Sequence, residues 1–201
     1  KSIVLKPDLV DAYNNIGNTL KDKGNIDEAI KAYDKALLLK PEYPEAYSNK
    51  GNALQVQGNF EESIEEYNKA LSFKPDYIKV YINMGAALKG LGKHQEAIEV
   101  YKKALSLKPD YAEAYINIGI VLHGQGKLKE ALEACNKSIS IKPNYADAHY
   151  TLGITLQELG RFNKSEESYR KTILLNPNFA EAYGSLAGLL KKFKMFEEAE
   201  I

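Results

Sequence analysis

Apolar residues recur along this chain at the three-and-four spacing of a helix face, not with the alternation of a strand. Near the N-terminus Tyr13, Ile16, Gly17 and Leu20 fall on one stripe, and Ile30, Tyr33, Ala36 and Leu37 on the next. Between them stands Gly24, a residue type that ends helices by taking the left-handed conformation after the last turn. The second stripe stops at Pro41, because proline disfavours helix in the residue before it. The pattern predicts two helices joined by a tight turn. Asn25 with Glu28, and Asn59 with Glu62, have the spacing of capping boxes at the start of second helices. Pro44 fits a first turn, where its missing N–H costs nothing.

The unit then repeats. Pro7, Pro41, Pro75, Pro109, Pro143 and Pro177 are each 34 residues apart. Gly17, Gly51, Gly85, Gly119 and Gly153 keep the same step, as do Gly24, Gly58, Gly92, Gly126 and Gly160. A fixed period of this length marks a stacked repeat architecture. The chain is framed as repeats 10–43, 44–77, 78–111, 112–145 and 146–179, with a partial sixth at 180–201 and residues 1–9 as the tail of a preceding one, all in one continuous domain. It begins with Lys1, not Met, so both ends are expected to cut through a repeat.

The small residues forecast how the helices meet. Gly17 inside a helix costs about 1 kcal/mol against alanine, a cost that close approach of a second helix would offset. Ala29, Ala36, Ala70, Ala97, Ala104 and Ala131 supply the facing surface, with Ser63, Ser138, Ser165 and Thr172 in the same slots. Tyr13, Tyr47, Tyr81, Tyr115 and Tyr183 form one column, and Tyr33, Tyr67, Tyr101 and Tyr169 another. A single pair of helices cannot bury so much apolar surface, so stacked neighbours must cover it.

These residues carry a resemblance. An aromatic, an apolar residue before glycine, a second apolar residue, glycine, alanine, aromatic, alanine and proline stand here as Tyr13, Ile16, Gly17, Leu20, Gly24, Ala29, Tyr33, Ala36 and Pro41. This resembles the tetratricopeptide repeat family over essentially the whole chain. His149 replaces the first aromatic, Cys135 the second, and Lys50 the apolar residue before glycine; Ala187 and Lys194 stand where glycines are expected. The resemblance implies an all-α, right-handed superhelical solenoid of stacked antiparallel helix pairs. The first helix of each pair would line a concave face that receives an extended peptide or a helix.

On that geometry the groove carries Asn15, Asn49, Asn83 and Asn117, one per repeat, with Asn14, Asn18 and Asn52 beside the first two. An amide both donates and accepts, so such a row suits a peptide backbone whatever its side chains. It is similar to the asparagine ladder in the repeats of the O-linked N-acetylglucosamine transferases. Farther along, the equivalent positions become Ile82, Ile116, Ile120, Tyr150 and Ile154, and Thr151 replaces the asparagine. Tyr150 is the one tyrosine outside the repeat columns. A contiguous apolar patch is expected there, with Tyr150 as an anchor. The family's carboxylate clamp needs cations, whereas its five positions hold Asn14, Asn18, Asn49, Lys79 and Asn83. Too few charge-assisted bonds remain for a chaperone tail.

Composition narrows the function. The 27 basic and 27 acidic residues balance, without the basic excess of a nucleic-acid binder. No apolar run is long enough to span a membrane. The lone Cys135 permits no internal disulfide, which fits a reducing compartment, and a cytoplasmic location is expected. It stands in a tyrosine slot and reads as a buried packing residue. His94 and His149 read as core positions, and His123 as a groove residue with no base or metal beside it. No phosphate loop, metal-spaced cluster or nucleophile constellation appears, and no cofactor is expected. The expected function is a non-catalytic scaffold binding protein or peptide. The alternative is the substrate-recruiting or dimerising region of a larger enzyme of glycosyltransferase, sulfotransferase or methyltransferase type. End-to-end self-association is a third expectation, through Ile3 and Leu5 at one end and Phe193, Met195 and Phe196 at the other.

Overall fold

The computed structural model describes the backbone of residues 7–199 and the side chains of 9–192. Ile3, Leu5, Phe193, Met195 and Phe196 lie outside the described side chains. Among the described residues all regular structure is helical: α1 Pro7–Asp22, α2 Ile26–Leu39, α3 Pro44–Val56, α4 Phe60–Phe73, α5 Ile78–Gly90, α6 His94–Leu107, α7 Ala112–Gly124, α8 Leu128–Ile141, α9 Ala146–Glu158, α10 Phe162–Leu175 and α11 Ala180–Ala199. The chain divides into two compact units, Lys1–Leu107 and Lys108–Ile201.

In the first unit α1 packs on α2, α3 on α4 and α5 on α6, while α2 meets α3 and α4 meets α5. The first helices of successive pairs, α1, α3 and α5, touch in order. The second unit repeats the scheme, with α7 on α8, α9 on α10, α8 against α9, α10 against α11, and α7 beside α9.

Each pair is closed by a glycine. Gly24 has φ of +83°, a conformation that costs a side chain energy but glycine little. The Gly24 N–H donates to Lys21 O at 2.9 Å and the Asn25 N–H to Leu20 O at 2.9 Å, the double bond of a Schellman motif. Gly58, Gly92, Gly126 and Gly160 close the other turns with the same positive φ. The capping boxes do not form: Asn25 and Asn59 precede α2 and α4 without a side-chain cap bond. The turn is so short that one residue both completes the Schellman motif and opens the next helix through its backbone carbonyl, as Asn25 O accepts from Ala29 N at 3.0 Å. Pro44 does open α3. At Lys194, where a turn glycine is missing, α11 runs on without a break.

The core is built on the second tyrosine column. Tyr33, Tyr67, Tyr101 and Tyr169 are 0% exposed. Their rings lie directly over the helical glycines, so a Cβ added to Gly51 would sit 2.6 Å from Tyr67 Cε1. The close approach foreseen at these glycines is therefore made by a tyrosine ring, not only by small residues. The serines in the alanine slots are buried and bonded: Ser63 Oγ donates to Gly51 O and Ser165 Oγ to Gly153 O, both at 2.8 Å. The first tyrosine column is only half-buried, apart from the exposed Tyr183. His149, in the slot of Tyr81, reproduces its bond: Tyr81 Oη donates to Pro75 O at 3.0 Å, and His149 Nε2 reaches Pro143 O at 2.8 Å. His94 opens α6 half-buried, in the slot where Ile26 and Phe60 pack against the core, with its Nδ1 buried.

Candidate functional site: the face of the first helices

In the first unit the amides of α1, α3 and α5 reach one another across repeats. Asn49 Nδ2 donates to Asn14 Oδ1 at 2.9 Å, and Asn83 Nδ2 to Asn52 Oδ1 at 2.7 Å. Each link spans neighbouring first helices, which the 34-residue step places side by side. Asn14 is 7% exposed, so it works chiefly as the acceptor of Asn49. The corresponding residue of the next repeat is Ser48, which has no amide oxygen, and Asn83 turns to Asn52 instead. Asn15 and Lys79 are exposed, and Asn18, Asn49, Asn52 and Asn83 are half-buried.

Hydroxyls from beneath complete this layer. Tyr33 Oη donates to Asn18 Oδ1 at 2.9 Å. Tyr67 Oη donates to Asn52 Oδ1 at 2.7 Å and shares its proton with Gln55 Oε1 at 2.9 Å. Tyr169 Oη does the same to Gln157 Oε1 at 2.9 Å. Gln55 and Gln157 escaped the sequence reading, although the repeat frame puts them in one column.

The expected apolar patch needs correction. Ile82 and Ile116 are 4% and 2% exposed. Neither offers a ligand surface, and Ile116 joins Cys135 and Ala148 in one core cluster, with Ile120 against it. Ile120, Ile154 and Asn117 are half-buried. Tyr150 is half-buried too, its ring 4.9 Å from Phe179 and 5.9 Å from Tyr169 between centroids, with Oη 3.2 Å from Ser185 Oγ. It is already engaged with the following hairpin. Thr151 is buried, its hydroxyl donating to Asp147 O at 2.8 Å.

His123 is not isolated. Its Nε2 stands 3.2 Å from Glu158 Oε1, across from α7 to α9. Cys135 is 0% exposed, and burial pushes its thiol up to about 12. Among the described residues no group of His, Cys, Asp and Glu is placed to hold a metal ion, and no helix is long and apolar enough to cross a membrane.

Lys50, the odd residue in an apolar slot, bridges three helices of the first unit. Its Nζ is 2.8 Å from Asp34 Oδ1 on α2 and 3.3 Å from Glu66 Oε1 on α4. Lys69 joins at 3.1 Å from the same Glu66 oxygen. The carboxylates raise the Lys50 ammonium above its ordinary pKa despite the opposing effect of burial, which is the largest single influence on it. Away from the first-helix face, a cleft of about 350 Å³ opens over Ile64, Met84, Leu88 and Val100, rimmed by Lys93 and Glu96.

A family profile described as TPR repeat matches residues 17–58, 51–92 and 89–126, and one described as Tetratricopeptide repeat matches residues 112–145 and 146–179. No curated protein sequence matches the chain. Among solved structures, MamA is 28% identical, with 83% of this chain and 97% of that chain covered and a TM-score of 0.69. YrrB, described as a TPR protein with an unusual peptide-binding site, is 28% identical, with 86% and 89% covered and a TM-score of 0.64. A thermophilic TPR protein of Thermus thermophilus is 20% identical, with 90% and 98% covered and a TM-score of 0.74, a likeness of fold alone.

Proposed function

This chain belongs to the tetratricopeptide repeat family, and from that premise we propose that it is a non-catalytic scaffold that holds an extended peptide along the face of its first helices. The observation that carries the reading is the amide layer of the first unit, in which Asn49 and Asn83 bond the amides of the preceding first helix. Each asparagine has more hydrogen-bonding capacity than one such link consumes. The remaining donors and acceptors recur from one repeat to the next, which suits the regular polar groups of an extended backbone better than any one side chain. The likeness to a TPR protein with a peptide-binding site supports the same use. Burial of Ile82 and Ile116 leaves the first unit's face mainly polar. The peptide is therefore recognised mainly through its backbone.

The test is selection from a displayed library of random peptides of about a dozen residues, followed by titration of the enriched sequence. The double change Asn49→Ala, Asn83→Ala should abolish measurable binding while the helical circular dichroism is kept. Enriched peptides that bind the double variant as tightly as the parent would refute the assignment.

A further inference from the structure

We infer that two buried tyrosines of the second helices, Tyr33 and Tyr67, are positioning residues that turn the Asn18 and Asn52 amides of the ligand face so that their N–H groups meet the ligand. The inference rests on the peptide-binding reading and adds what kind of atom the face recognises. A side-chain amide can present either end, and nothing in its own shape decides which. Here the decision is made from below. Asn52 Oδ1 receives both the Tyr67 hydroxyl at 2.7 Å and Asn83 Nδ2 at 2.7 Å. Two donors face that oxygen, the Tyr67 proton being shared with Gln55 Oε1 at 2.9 Å, so Nδ2, with its two protons, is the end left for a ligand. The Tyr33 hydroxyl donates to Asn18 Oδ1, and in the second unit the Tyr169 hydroxyl donates to Gln157 Oε1, in the column of Gln55.

Each tyrosine also packs on a helical glycine, which fixes its ring and therefore the height of its hydroxyl. Asn18 and Asn52 thus add donors to the face of the first unit, and the ligand groups that match them are acceptors: the backbone carbonyl oxygens of an extended chain.

The test uses the full chain, with the library-selected peptide synthesised N-acetylated and C-amidated as probe. Tyr67→Phe keeps the ring and removes the hydroxyl. It should weaken the probe about fivefold, the value of one ordinary hydrogen bond. Asn52→Ala should weaken it at least as much, and Asn52→Asp no less than Asn52→Ala, because a carboxylate brings no donor to the face. The Asn52 side-chain N–H pair in a proton–nitrogen correlation spectrum gives a readout that packing alone would not move. Its two protons should exchange faster and lose their separate positions in Tyr67→Phe. Full affinity in Tyr67→Phe together with weakened binding in Asn52→Ala overturns the inference and spares the peptide reading. Unchanged affinity in Asn52→Ala removes Asn52 from the peptide site. The orienting role then falls if the Asn52 amide signals of Tyr67→Phe match the parent. A probe that binds only as the free acid replaces the backbone carbonyls with a terminal carboxylate and overturns the stated ligand.

Discussion

Two kinds of glycine lie in these helices, and they look alike in the sequence. Gly51 lies under the Tyr67 ring, where a Cβ would meet Cε1 at 2.6 Å. Gly188, in α11, has nothing within 4 Å of the place its Cβ would take. Gly51→Ala should therefore lose about 1–3 kcal/mol through overpacking. Gly188→Ala should gain about 0.5–1 kcal/mol, because alanine restricts the unfolded chain and favours helix. Urea denaturation of the two variants checks both signs. Cys135 gives a second residue-scale expectation. With its thiol pushed up to about 12 by burial, the thiolate that reacts with disulfide reagents is scarce at neutral pH. Modification should proceed at the rate of unfolding, as a stopped-flow titration with an aromatic disulfide would show; prompt reaction of the folded chain would contradict it.

At the scale of the element, the hairpin closes by backbone chemistry and the stack by side chains. The Schellman turn at each left-handed glycine makes the first helix end on schedule, and α11 shows the converse by continuing through Lys194. Between hairpins of the first unit, Lys50 ties α3 to α2 and α4 through Asp34 and Glu66. Glu66 is 6% exposed, and its Oε2 has no hydrogen-bond partner, so its charge leans on Lys50 and Lys69 at Oε1. Lys50→Met should cost about 2 kcal/mol, less than breaking a fully buried pair, because Asp34 is exposed and Lys69 still faces Glu66. Adding Glu66→Leu should recover most of it. A double-mutant cycle in urea measures the coupling; additive losses would mean the bridge contributes nothing.

For the whole molecule, the repetition of buried phenols makes alkali the selective denaturant. Burial raises Tyr33, Tyr67 and Tyr145 to about 12, helped by the Asp22 carboxylate at Tyr33 and by Asp147 and Glu113 at Tyr145. The folded chain then holds phenolic protons that the unfolded chain, with ordinary values near 10, gives up first. Stability from this source is complete below about pH 10 and drains away as the pH climbs towards 12. Urea midpoints taken between pH 8 and 12 should fall over that window, with tyrosinate absorbance rising alongside unfolding. Free titration of all tyrosines near pH 10 without loss of helix would disprove it.

How much of this was legible depends on how local the cause is. Helix periodicity, the left-handed glycines and the terminating prolines act within a few residues, so the two-helix unit and the all-helical array could be read from sequence. The capping boxes at Asn25 and Asn59 were misread because a competing backbone motif uses the same residues. Which face an isoleucine takes was a longer-range matter. Ile82 and Ile116 stand in the column of Asn14 and Ser48, which is buried in all four repeats whatever its residue type, so the polarity of the earlier residues gave the wrong face. Likewise the sequence determined that asparagines recur at one step of the repeat. The tertiary structure alone decided that Asn52 points its oxygen at Tyr67 and Asn83. The orientation of an amide is set by atoms 15 and 31 residues away along the chain, and no local rule of sequence reaches that far.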